Sequence, residues 1–279
     1  MNEFTEALNY HGVFFKKRVI EELRRVHGLD IIAEELGVTF GETRVLDILA
    51  MDNEGVPPVL YAIECKRAWR QRKQWFFFKD CVQPYRVARD VSSLMGASSV
   101  FAAGTTPSVC SEGYELDAQK SDKNEKTLSK ADQNPVFKAG TQLAGASLGF
   151  IARRLREFHR PGSASGKTHF ERVVPVLVTN VEMFVVEDEN WSAVDLASGC
   201  FDGAAKVTAA DYVVLKQPFP TPEKCAHDFR EFPACTPDMD VRYWNQLFTE
   251  SLHVVRATAL LDFFCPEKRA WFRTVATQP

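Results

Sequence analysis

Two acids and a lysine carry the most specific chemistry in this sequence. Asp47 stands inside the apolar segment Val45, Leu46, Asp47, Ile48, Leu49; after sixteen intervening residues, the run Val59, Leu60, Tyr61, Ala62, Ile63 ends on Glu64, Cys65 and Lys66. In an extended chain side chains alternate, so Leu60, Ala62, Glu64 and Lys66 share one face. A lone carboxylate in an apolar strand is costly unless it is paired, hydrated or bound to metal. Two such acids on adjacent strands suit one oxygen-rich site, which is what Mg2+ or Mn2+ accepts while keeping waters and room for a substrate phosphate. A lysine beside it can orient or deprotonate the attacking water and offset developing charge. The competing reading makes Glu64 and Lys66 an exposed strand-end ion pair and Asp47 a hydrogen-bonded turn acid.

The elements that must position these groups are legible in outline. Residues 4–27 have helical period, with Phe4, Leu8, Phe15, Val19 and Val26 in one sector. Residues 31–40, 44–51 and 58–66 are short, apolar and β-branched, and turn-forming residues separate them, so they read as three successive strands. Residues 68–95 read as a helix, bent or interrupted at Pro84, and residues 98–103 as a candidate fourth strand. The polar stretch 111–134 reads as a mobile loop, because it holds too little apolar surface to offset ordering entropy. A helix at 136–160, strands within 172–188 and a strand at 212–215 follow. A long amphipathic helix is expected over 239–264.

Glu22 points with the apolar stripe of the first helix, while Glu21 points about 120° away. An acid there wants a partner. The alternatives are a place in the metal site or, at the edge of the stripe, pairing to an arginine; Glu34 and Glu35 on the first strand are other candidates for the site. Directly after Lys66 the chain is basic and aromatic, and Arg67, Arg70, Arg72, Lys73 and Lys79 are candidate nucleic-acid contacts. The plainer reading is a solvated helix face.

The order helix, three-strand meander with Asp47 and then Glu64-Cys65-Lys66, helix and strand resembles the PD-(D/E)xK nuclease superfamily. Leu46 stands where the motif's name has proline. The resemblance implies an α/β, restriction-endonuclease-like core, with a mixed central sheet flanked by helices. It implies that Asp47 and Glu64 bind metal, that Cys65 adds its backbone carbonyl and that Lys66 assists the nucleophilic water. Family members often carry a glutamate on the first helix that meets metal through water, and Glu22 is the candidate. The implied activity is Mg2+-dependent hydrolysis of nucleic acid, with DNA favoured, in a bacterial defence, restriction or repair setting that can include partner proteins. The rival readings are an inactive binding or scaffold protein with the same fold, and a phosphodiesterase acting on RNA or small nucleotides.

Composition sets the outer limits. The chain has 279 residues, 45% hydrophobic and 25% charged, which is ordinary globular usage. A net charge of -3 gives no global attraction to nucleic acid, so phosphate binding must come from local clusters. Seven scattered cysteines suit a reducing compartment. With no secretory signal and no spanning apolar run, a cytoplasmic location without membrane contact is expected. The expected division is a nuclease-like core at 1–220 and a helical extension at 221–279, which either packs back on its own domain or joins two chains as a homodimer. Two motifs are set aside. Gly162 to Thr168 has three residues between its glycines where a phosphate-binding loop needs four, and Cys225, His227 and Cys235 offer zinc ligands at irregular spacing.

Overall fold

The computed structural model describes residues 5–6, 8, 11–40, 42–54, 58–68, 73–79, 89–90, 108–117, 134–158, 172–187, 197–198, 206–218 and 249–273. Helix α1 (Val13–Leu23) leads into three strands, β1 (Leu29–Phe40), β2 (Glu42–Asp52) and β3 (Val59–Lys66), which pair antiparallel in sequence as expected. Strands β4 (Lys73–Lys79), β5 (Arg89–Asp90) and β6 (Ser108–Asp117) precede the long helix α2 (Pro135–Phe158). Then come β7 (Arg172–Thr179), β8 (Glu182–Val186), β9 (Val207–Ala210), β10 (Tyr212–Pro218) and β11 (Thr249–Arg256). Two short helices, α3 (Leu260–Phe263) and α4 (Pro266–Arg273), close the described chain. The fold is α/β, with one large mixed sheet flanked by few helices.

The sheet has the order β1-β2-β3-β7-β11-β10-β6-β4-β8-β9, with β5 paired to β7. Only Asn180 and Val181 link β7 to β8, yet the two strands lie far apart in that order. A link this short spans roughly 11 Å, so the sheet curls back on itself there. Helix α2 packs on one side of it, where Val136, Ala139 and Leu143 meet Leu49, Leu60, Ala62, Trp75, Phe77 and Leu177. On the other side α1 contributes Val19, Ile20 and Leu23, and the C-terminal helices Phe263, Phe264 and Phe272, around Tyr61, Ile63, Val174 and Val176. Strands β3 and β7 are therefore buried on both faces, which explains their unbroken apolar runs.

Three expectations are corrected. Within 68–95, residues 73–79 and 89–90 form strands and not a helix. In β4 Trp75 and Phe77 are buried while Phe76 and Phe78 are half-buried, a period-2 pattern, and aromatic residues pack well on a pleated surface. Phe76 stacks on Phe184 of β8 at 5.2 Å. Of the expected mobile loop at 111–134, residues 111–117 belong to β6, ordered by pairing with β4. Gly113 is required there, since a Cβ would lie 2.8 Å from the Phe77 ring. Glu115, 8% exposed, accepts hydrogen bonds from Lys73 at 2.6 Å and the Trp75 indole at 3.0 Å.

The third correction concerns the C-terminal helix. Residues 249–256 form β11, antiparallel to β10 and parallel to β7, so this part of the expected helical extension lies inside the main sheet. Leu252, Val254 and Val255 are fully buried; a strand covered on both faces has the continuous apolar run that a helix segment also has. Phe263 and Phe264 are each 1% exposed within their own chain, which removes them as contacts for a second copy. The short segment after β11 is clamped: Arg273 grips Asp52 through Nε at 2.9 Å and Nη2 at 2.6 Å, and Arg269 bonds the His27 carbonyl at 2.9 Å. Trp244 and Phe248, the candidate strand at 98–103 and both set-aside motifs lie outside the described residues. No described helix is long and apolar enough to cross a membrane.

Candidate active site

The β2–β3 register pairs Ile48 with Ile63, and one further step sets Asp47 opposite Glu64. Asp47 Oδ2 accepts the Cys65 N–H at 2.8 Å, which fixes the acid against the last turn of β3's ladder. Glu64 is 3% exposed. Its Oε1 accepts from Lys66 Nζ at 2.6 Å, whereas its Oε2 is buried without a hydrogen-bond partner. The structure thus brings Asp47, Glu64, Cys65 and Lys66 together at the end of the β2–β3 pair. The exposed ion pair of the competing reading does not describe Glu64, which is in the core.

Burial and the charge of Asp47 push the Glu64 carboxyl up to about 7, against the opposing pull of Lys66. A carboxylate in this state is short of cations. Burial, with Asp47 and Glu64, also pushes the Cys65 thiol up, so that side chain stays neutral.

Two residues not anticipated from the sequence join the site. Gln142 of α2 accepts from Lys66 Nζ at 3.3 Å and donates to the Val45 carbonyl at 3.1 Å, tying the lysine to β2. Lys16 of α1 lies with Nζ 3.9 Å from Asp47 Oδ1 and bonds Glu35. Behind them, Asn180 accepts the Ala68 N–H at 2.8 Å and donates to the Ala68 carbonyl at 3.4 Å, holding the chain as it leaves Lys66. Neither Gln142 nor Lys16 has a local signature: one follows a threonine in a helix, the other opens the basic run Lys16-Lys17-Arg18, which reads as a solvated face.

The remaining candidates are placed as follows. Glu22 is held by Arg18 and, at 3.1 Å, by Arg25, the arginine-paired alternative. Glu34 bonds Lys17 at 2.7 Å. Arg67 follows Lys66 directly and its Cβ lies 3.9 Å from the position a Cβ on Gly12 would take, so it flanks the start of α1. Lys73 is engaged by Glu115 and Lys79 ends β4 opposite Cys110; both sit on a strand and not on a helix running from the site. Arg70 and Arg72 lie outside the described residues.

Among the described residues no three His, Cys, Asp or Glu side chains form a metal-holding group. A cation here would have two side-chain ligands, Asp47 and Glu64. The unpartnered Glu64 Oε2 beside a second acid fits a hard divalent ion that keeps most of its waters. Comparisons with protein-family models, curated proteins and solved structures find no match to this chain.

Proposed function

We propose that this protein is a nuclease that uses Mg2+ or Mn2+ to hydrolyse phosphodiester bonds of nucleic acid, DNA in the first instance, with a site arranged as in the restriction-endonuclease-like class. The observation that carries this reading is the buried, unpartnered Glu64 Oε2 facing the same corner as Asp47, with Lys66 on the other oxygen. A bacterial defence, restriction or repair setting goes with the same resemblance.

Asp47, Glu64 and the Cys65 carbonyl would hold the ion. When bound, it polarises the phosphate and makes a water acidic enough to attack at neutral pH. Lys66 donates to both Glu64 and Gln142, and an ammonium with two acceptors acts as a donor. It therefore orients the attacking water and offsets charge on the phosphate, while the water's proton leaves to solvent. Gln142 keeps that ammonium facing the acids. Arg67, which follows Lys66 directly, would meet a neighbouring phosphate.

A cleavage assay on supercoiled plasmid, linear duplex, single-stranded DNA and RNA tests the reading. Cleavage of DNA in Mg2+ or Mn2+, binding without turnover in Ca2+, and no cleavage in EDTA are expected. Undiminished cleavage in excess EDTA overturns the metal mechanism. Binding to all four substrates without cleavage of any returns the scaffold reading, and cleavage of RNA alone returns the RNA phosphodiesterase.

A further inference from the structure

We propose that Lys16 is a further residue of the active site: a fixed second cation beside Asp47, in the position a second metal ion would take, that grips a non-bridging oxygen of the scissile phosphate. This inference rests on the shared-metal reading of Asp47 and Glu64. The β1–β2 register pairs Glu34 with Ile48 and Leu36 with Leu46, so Glu35 stands opposite Asp47, as Asp47 stands opposite Glu64. Three acids therefore occupy facing positions across β1, β2 and β3, with Glu35 in the left-handed region at φ 54° and joined to Asp47 through Lys16. Two ammonium groups serve them unequally. Lys66 sits on Glu64, and Lys16 sits between Glu35 and Asp47, its side chain only 15% exposed.

The two sides of this set differ in what they still lack. Glu64 Oε2 is buried and unpartnered, whereas Asp47 Oδ1 already has an ammonium 3.9 Å away. A divalent ion is drawn to the Glu64 side, and the Glu35 side is already neutralised. Charge points the same way: three carboxylates against two ammoniums leave one negative charge, and a single divalent ion turns that into one positive, matched to one phosphodiester. A second divalent ion would have to share Asp47 with Lys16, at considerable repulsion in a half-buried site.

Lys16 is also placed to reach substrate. Its backbone N–H closes the first turn of α1 on the Gly12 carbonyl at 3.0 Å, and Arg67 abuts Gly12. Lys16 thus meets Asp47 from the α1 side, while Lys66 meets Glu64 beside Gln142 of α2. A purely structural lysine that ties α1 to β1 would stabilise the fold without affecting how many ions the site binds.

Manganese titration of the full chain, with free Mn2+ followed by electron paramagnetic resonance, separates these roles. One ion per chain is expected for the unaltered protein and for Lys16→Arg. Two are expected for Lys16→Met and for Lys16→Gln, whose Glu35 and Asp47 oxygens are released to a second ion, and one again for Lys16→Met combined with Glu35→Gln. With DNA in Mg2+, Lys16→Met should cleave about 10²-fold more slowly. Two ions in the unaltered protein, or one in both neutral variants, overturns the inference while leaving the shared metal intact. No bound ion in any of these proteins removes the shared-metal reading itself, and this inference with it.

Discussion

Asp47→Asn abolishes metal-dependent cleavage, with an expected fall of at least about 10³-fold, equivalent to roughly 4 kcal/mol of lost transition-state stabilisation. The substitution preserves shape and one acceptor oxygen, so the bond from the Cys65 N–H at 2.8 Å survives and β2 keeps its pairing. What disappears is the negative charge, and with it half of the side-chain ligand set. The same charge is one of the causes that push the Glu64 carboxyl up, so the variant's Glu64 titrates lower. Single-turnover cleavage alongside thermal melting measures both effects. A folded Asp47→Asn protein that cleaves at the unaltered rate would refute its role; a protein that no longer melts cooperatively would instead assign Asp47 to the fold.

Glu64→Gln is expected to stabilise the metal-free protein at alkaline pH. The folded-state carboxyl is raised to about 7 by burial and by Asp47, above its ordinary range. Between that range and about 7 the folded protein holds a proton that the unfolded chain has released. Stability without metal therefore falls as pH rises through this window and levels off above it. The shift corresponds to on the order of 3 kcal/mol, or several degrees in Tm for a chain of this size. Glutamine lacks the penalty. In EDTA at pH 8 Glu64→Gln should melt above the unaltered protein, and at pH 5.5 the gap should be about half as large. Magnesium should raise the Tm of the unaltered protein, since binding to the folded state alone adds stability, and leave the variant unmoved. A flat pH profile, or a variant less stable than the unaltered protein at pH 8, would contradict the assignment.

Both effects come from residues whose placement was open to reading in the sequence, and the reason is periodicity. The meander β1 to β3, helix α2 and the pair β7 and β8 have alternation, helical period or buried runs long enough to outweigh rival patterns. Asp47 and Glu64 were visible because each interrupts an apolar strand. Strands β4, β6 and β11 were hidden for separate physical reasons. Lysine and arginine around the aromatic run masked the alternation of Trp75 and Phe77, which only pairing with β6 and β8 decides. The acids and glycine of β6 read as loop, although Glu115 is satisfied by Lys73 and Trp75 and Gly113 makes room for Phe77. The apolar residues of β11 fit a helix face equally well, and its place between β7 and β10 is a tertiary fact.

The rest of the site follows the same rule. Gln142 and Lys16 reach Lys66 and Asp47 from α2 and α1, across 76 and 31 residues of sequence, and nothing local marks either. Glu22 shows the converse. Its helical angle drew attention to it correctly as an acid in need of a partner, and Arg18 and Arg25, one turn away on either side, supply that partner.

Manganese anomalous scattering from a crystal grown or soaked in Mn2+ tests the shared-metal site most directly. One peak is expected between Asp47 and Glu64, about 2.1 Å from Glu64 Oε2 and from an Asp47 oxygen, with Lys66 retained on the Glu64 Oε1 side and Lys16 beside Glu35. A map without a peak at these two carboxylates, with Glu64 Oε2 bonded instead to a protein donor, would contradict it.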